Sequence, residues 1–168
     1  MRTLVYTCCD EKYSHFIPLF CAALLWTNDN IDIEIGVSNE KLTDSEEEVL
    51  SYLREEYPDS KILIKYNFFT VNKDNDRFHA AKYNGHEMMI NSVRFVSEPI
   101  IKDDYTYISD IDIISFDKNF ANEHINRCIN ENMIYDNIIR QNSPSHLSGL
   151  HFVVTNKYYP LNLKDIKY

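Results

Sequence analysis

Apolar and polar positions along the chain switch between the period of a strand and the period of a helix. Arg2 to Cys8 (RTLVYTC) is a short β-rich run, and SHFIPLFCAALLWTN behind it has the length and apolar character of a buried helix ending near Asn28. Ile31 to Val37 (IDIEIGV) alternates as a strand does, and LTDSEEEVLSYLREEYP predicts an amphipathic helix with Thr43 or Asp44 as N-cap and Pro58 as stop. Lys61 to Tyr66 (KILIKY) predicts a third strand. Beyond it, FFTVNKDNDRF is a polar connection and AAKYNGHEMMINSVRFVSEPII is helical in parts around Gly85 and Pro99. Tyr105 to Ser109 (YTYIS) predicts a fourth strand that delivers its end to Asp110-Ile111-Asp112, and the Asn- and Ile-rich stretch from Asn119 to Asn142 carries no clear period. Strands alternating with helices imply an α/β domain with a mostly parallel central sheet and helices on both faces. Ligands in such sheets collect beyond the carboxyl ends of the strands.

Composition narrows the ligand. At 168 residues and 19.9 kDa, with 44% hydrophobic residues, the chain holds one well-buried core, so residues 1–168 are read as a single domain. The formal net charge of −9 with no compensating basic run disfavours nucleic acid as a partner. An anionic ligand would need a locally positive or metal-filled pocket, because the field of the whole molecule repels it. Cys8, Cys9, Cys21 and Cys128 show neither CxxC pairing nor the spacing of a secreted framework, which fits a reducing compartment. With no leader-like start and no apolar segment long enough to span a bilayer, the expectation is a cytoplasmic protein, compatible with peripheral attachment to a membrane.

Two carboxylates at i and i+2 just past a buried strand, Asp110 and Asp112, can point the same way and hold a hard cation such as Mg²⁺ or Mn²⁺ against a diphosphate. Taken alone, such a pair also describes solvated turn residues. The N-terminal run YTCCDEKYSHF places further polar residues just after a strand. It resembles the opening of the glycosyltransferase family that contains glycogenin and the bacterial lipopolysaccharide galactosyltransferases, in which a strand, two small residues, Asp, a polar pair and Tyr line the uridine pocket. Cys8, Cys9, Asp10, Lys12 and Tyr13 occupy those places. Arg94 in NSVRFVSEPI is similar to the family's arginine that contacts a metal-binding carboxylate and the donor. Ser148 and Gly149 in HLSGLHFVVTN match its small-residue-Gly strand facing the donor sugar and acceptor, although Leu147 stands where the family usually has Asn.

The resemblance implies a GT-A, Rossmann-like domain that moves a sugar from a nucleotide-diphosphate donor, UDP in the named relatives, to a glycan, lipid-linked or protein hydroxyl. Mn²⁺ or Mg²⁺ would stabilise the departing diphosphate. Asp110, Asp112 and Arg94 would carry that work. Plainer roles are open to each residue: Arg94 pairing with Glu98 at i+4, Tyr13 as a core aromatic, Asp10 capping the helix that begins near Ser14. Relatives continue past the SGL strand with a late His that completes the metal shell. Leu161 to Tyr168 read as the start of a helix cut short, so a nucleotide-sugar-binding module without turnover is the alternative. A dehalogenase-type phosphohydrolase also uses DxD, but early in its chain, and a purely structural domain would bind neither metal nor UDP. His79, His86, His124, His146 and His151 lack metal-ligand spacing, and both vicinal thiols are expected to pack at the strand end.

Overall fold

The computed structural model describes residues 1–72, 80–118, 120–139 and 147–159. Strands β1 (Thr3–Cys9), β2 (Ile31–Val37), β3 (Ile62–Lys65) and β7 (Tyr105–Ile108) run parallel, and β9 (Leu147–Val154) and β8 (Tyr135–Ile139) extend the sheet antiparallel, in the order β3-β2-β1-β7-β9-β8. A second sheet joins β4 (Thr70–Val71), β5 (Ala80–Tyr83) and β6 (His86–Met89). The chain lays down β1, β2 and β3 in one direction and then returns to add β7 on the other side of β1, so the strand order reverses between β1 and β7. A crevice opens at the carboxyl ends of two strands that diverge in this way.

Both faces of the central sheet are covered. Val5, Cys9, Ile33, Ile35, Ile62, Tyr107 and Phe152 pack under α1 (Ile17–Thr27), α2 (Asp44–Glu56) and α4 (Phe120–Asn130). On the other face Leu4, Tyr6 and Cys8 meet α3 (Ile90–Val96) and the small sheet. Local chemistry sets the boundaries. Pro18 opens α1, the Asn28 side chain donates to the carbonyl of Leu24 at its end, and Thr43 and Glu46 form a reciprocal capping box on α2. The segment expected to be helical around Gly85 is instead a hairpin. Asn84 and Gly85 both take positive φ (49° and 85°), the two-residue turn that matches the twist of paired strands, and the helix starts only at Ile90. The stretch without a clear period resolves into α4 and β8, with Asn119 and 140–146 outside the described residues. Residues Leu161 to Tyr168 are outside them too. Among the described residues no helix is long and apolar enough to cross a membrane.

Alternation along β2 puts Asp32 and Glu34 on the face opposite its isoleucines, yet both are buried, because α3 and the small sheet cover that side. Gly36 belongs there as well: a Cβ would come within 2.2 Å of the Phe68 ring. At the amino-terminal edge of the sheet Asp32 pairs with Arg2 at 2.5 Å and accepts the Lys61 N–H. Burial first, and the Asp32 charge second, push the neighbouring Asp103 carboxyl up to about 6. The folded protein thus holds that proton more tightly than the unfolded chain does, so stability falls as pH rises from the unfolded pKa through the folded one. Asp103→Asn should therefore melt at a higher temperature than the wild type at about pH 7.5, with the gap closing below about pH 4, where both side chains are neutral. Thermal unfolding across that range checks this, and equal midpoints at the upper end would mean that neither burial nor the Asp32 charge raises the Asp103 carboxyl.

Candidate functional site

The cleft at the reversal between β1 and β7 has a volume of about 250 Å³ and is lined by Cys8, Cys9, Asp10, Tyr13, Met89, Ile90, Asn91, Arg94, Asp110, Ile111 and Asp112. Strand alternation explains how the acidic pair reaches it. Ile111, 5% exposed, continues the side of β7 that faces α1 and α4 and anchors the turn in that core. Asp110 and Asp112 are thereby left on the alternate positions, toward α3. Backbone bonds close the turn: Ser109 N–H donates to the Tyr6 carbonyl at 3.0 Å and Ile113 N–H to the Asp110 carbonyl at 3.3 Å.

Arg94 comes to the cleft on the buried face of α3, shared with Ile90 and Val93. It is 3% exposed, and its guanidinium is ion-paired with Asp110. Its Nε is buried without a hydrogen-bond partner, and its Cζ lies 5.0 Å from the Phe95 ring centroid. The i, i+4 pairing with Glu98 is not made, since Glu98 pairs with Lys102 at 2.6 Å. Asp10 does not cap the following turn with its side chain; the short 3-10 turn Ser14–Phe16 has no side-chain cap, and Asp10 Oδ1 is buried without a partner. Asp110 and Asp112 thus stand at the cleft beside a buried guanidinium that is paired with Asp110 and has an unpartnered Nε.

The remaining predicted residues divide. Cys8 and Cys9 line the cleft as buried free thiols whose side chains turn to opposite faces of the sheet. Burial pushes Cys8 up to about 11 and Cys9 higher still, so both are inert packing groups at neutral pH. Tyr13 is 38% exposed at the rim, stacked on Phe16 at 6.2 Å, with Lys12 Nζ 5.8 Å from its ring centroid. Lys12 is not brought to the cleft. It lines an adjoining hollow with Ser38, Asn39 and Asn67, and Asp10 borders both spaces. Ser148 and Gly149 lie on β9, whose antiparallel register with β7 (Ile108 opposite His151) carries them past the carboxyl end of β7, alongside the acidic turn. Met89, Ile90 and Asn91 were not foreseen from the sequence, although Ile90 shares the i, i+4 face of Arg94. Of the histidines, His124 pairs with Asp136 and His151 with Asn137, the His15 ring lies tilted against Phe16 at 4.2 Å, and none of these lines the cleft. His79 and His146 lie outside the described residues.

The donor set fits a hard, hydrated cation. Among the described residues no group of three or more His, Cys, Asp or Glu side chains can hold a metal unaided. Mg²⁺ and Mn²⁺ take one or two carboxylates and complete their shells with water and phosphate oxygens, which Asp110 and Asp112 allow.

No protein-family model and no curated protein sequence matches the chain. Solved structures do resemble it. The glycosyltransferase GlyE of Streptococcus pneumoniae TIGR4 in its apo form superposes with a TM-score of 0.57 at 10% identity over 95% of this chain and 35% of its own. A second GlyE structure gives 0.58 at 12% identity over 94% and 35%. An active-site mutant of LgtC gives 0.54 at 14% identity over 96% and 60%. The chain therefore has the mixed α/β fold of these glycosyltransferases, and it spans about a third of GlyE and 60% of LgtC.

Proposed function

We propose that this chain binds a UDP-sugar together with Mn²⁺ or Mg²⁺ and transfers the glycosyl group to an acceptor hydroxyl on a glycan, lipid or protein. The observation that carries the reading is the buried Arg94 paired with Asp110 in a cleft at the reversal point of a glycosyltransferase-like sheet. Burying an arginine costs free energy that one carboxylate partner offsets only in part, and at a solvent-facing cleft an anion with its counter-cation would add to that compensation. In this reading Asp110 and Asp112 hold the cation, which supplies positive charge to the diphosphate as it leaves. Arg94 keeps one Asp110 oxygen fixed and leaves the other free for the site. Asp10 accepts an N–H of the base through its unpaired Oδ1, and the exposed Tyr13 ring at the rim packs against the nucleoside. Ser148 and Gly149 border the sugar.

Titration calorimetry with UDP in Mn²⁺ and again in chelator tests the reading. Binding is expected only with the cation, because two carboxylates and a net charge of −9 oppose a bare diphosphate. Equal affinity in both buffers would take the acidic pair out of the site. Binding without release of UDP from any UDP-hexose in the presence of acceptors would leave a nucleotide-sugar-binding module.

A further inference from the structure

Beneath the cleft, on the α3 side of the sheet, lies a connected set of buried polar groups that no step above uses. Glu34, fully buried on β2, accepts the N–H groups of Ile100 and Ile101 at 2.8 Å and pairs with Lys65 Nζ at 2.7 Å. Lys65, its side chain 11% exposed, lies 3.8 Å over the Phe68 ring and donates to Tyr6 Oη at 3.4 Å. Tyr6 Oη and Ser97 Oγ are 2.5 Å apart, and Ser97 Oγ lies 2.6 Å from the carbonyl of Val93.

The order of donors follows from counting protons. Ser97 has one hydroxyl proton and gives it to Val93, so Tyr6 must donate to Ser97. The lone pairs of Tyr6 then accept from Lys65 and from the Cys8 thiol 4.0 Å away. Burial pushes the Tyr6 hydroxyl pKa well up, which keeps it a donor. The Tyr6, Ser97 and Cys8 protons each have one destination.

Its end point matters for the cleft. Ser97 is the C-cap of α3, and its own N–H also reaches the Val93 carbonyl, so Tyr6 grips the turn on which Arg94 rides. A helix of seven residues has little stability of its own, and the pair with Asp110 is made by a guanidinium whose Nε has no partner. The place of Arg94 is therefore set by where the sheet holds α3. We propose that Tyr6 and Ser97, backed by Lys65 and Glu34, are positioning residues that set Arg94 against Asp110 and so govern donor affinity; the affinity half of this statement rests on the function proposed above.

The variants are Tyr6→Phe and Ser97→Ala, with Thr106→Val as control. Thr106 and Thr155 form another buried hydroxyl pair, 2.9 Å apart, outside the chain that links Glu34 to Ser97. Three quantities are measured on the whole chain: the thermal midpoint, UDP affinity in Mn²⁺, and the solvent exchange of the Arg94 Nε–H by NMR without ligand. Tyr6→Phe and Ser97→Ala should each weaken UDP about fivefold to tenfold, the equivalent of one hydrogen bond, and speed the Arg94 exchange. Thr106→Val should lower the midpoint alone. The proposal is overturned if both test variants leave affinity and Arg94 exchange where Thr106→Val leaves them, for the network then serves only the fold. A wild type that does not bind UDP sinks the functional reading, while the exchange comparison still decides whether Tyr6 and Ser97 position Arg94. Should Tyr6→Phe fail to fold, Ser97→Ala decides alone.

Discussion

Asp112→Asn is expected to weaken UDP in Mn²⁺ buffer by at least about tenfold, the lower bound set by the loss typical of groups one step further from a metal, while leaving the melting curve unmoved. The side chain is exposed at the cleft and makes no ion pair among the described residues, so the fold gives up little when its charge goes. Asp110→Asn should weaken UDP as strongly and also destabilise the protein. Solvent-facing carboxylates at a strand end would have been equivalent in this respect, but Asp110 is the counter-charge of an arginine that is 3% exposed. Removing one member of a buried pair leaves the other uncompensated, a loss of about 3–5 kcal/mol when both are fully buried. Asp110, at 24% exposed, lets water relieve part of it, so about 2 kcal/mol is the expected cost. Calorimetry with UDP and chemical denaturation of both variants separate the two effects. If Asp110→Asn unfolds at the wild-type midpoint, the pair with Arg94 contributes nothing to the fold. If Asp112→Asn binds UDP normally, the cation is held elsewhere.

The parallel frame was legible because strands such as Ile31–Val37 and a capped helix such as Asp44–Glu56 announce themselves through local pattern and local hydrogen bonds. The hairpin at Asn84-Gly85 is also written in the sequence, in the turn chemistry of that dipeptide, but the methionines beside it obscure the strand period. What the sequence could not show is where the even positions of β1 and β2, and the odd positions of β3, go. Asp32 and Glu34 alternate with the isoleucines of IDIEIGV, and only the placement of α3 and the small sheet over their side buries them and brings Arg2, Lys65 and the backbone N–H groups of Lys61, Ile100 and Ile101 to meet them. The same long-range placement joins Arg94 to Asp110 and carries Lys12 away from the acidic pair, although both lay in segments that resembled the family. A motif assigns residue types to strand ends; which of them share one cleft depends on the strand order.

Arg94→Lys is expected to cost about tenfold in UDP affinity even though the charge is kept. A guanidinium presents a planar fork of donors that can fix a carboxylate oxygen and still offer an N–H to a second anion, whereas an ammonium is a compact point charge that needs its full hydration. Burial sharpens the difference. The Arg94 side chain is 3% exposed and already leaves Nε unpaired, so an ammonium in its place would lose most of its hydration. A lysine there would draw Asp110 toward itself or retreat from the cleft, and either movement disturbs the acidic turn. Glu98→Gln serves as the matched control, since Glu98 pairs with Lys102 on the surface, both side chains being nearly half exposed, and such pairs are worth well under about 1 kcal/mol. UDP titrations in Mn²⁺ should therefore separate the two variants: weaker binding for Arg94→Lys, wild-type binding for Glu98→Gln. Wild-type affinity in Arg94→Lys would mean that positive charge alone suffices beside Asp110, and the planar geometry of the arginine would have no part in holding the donor.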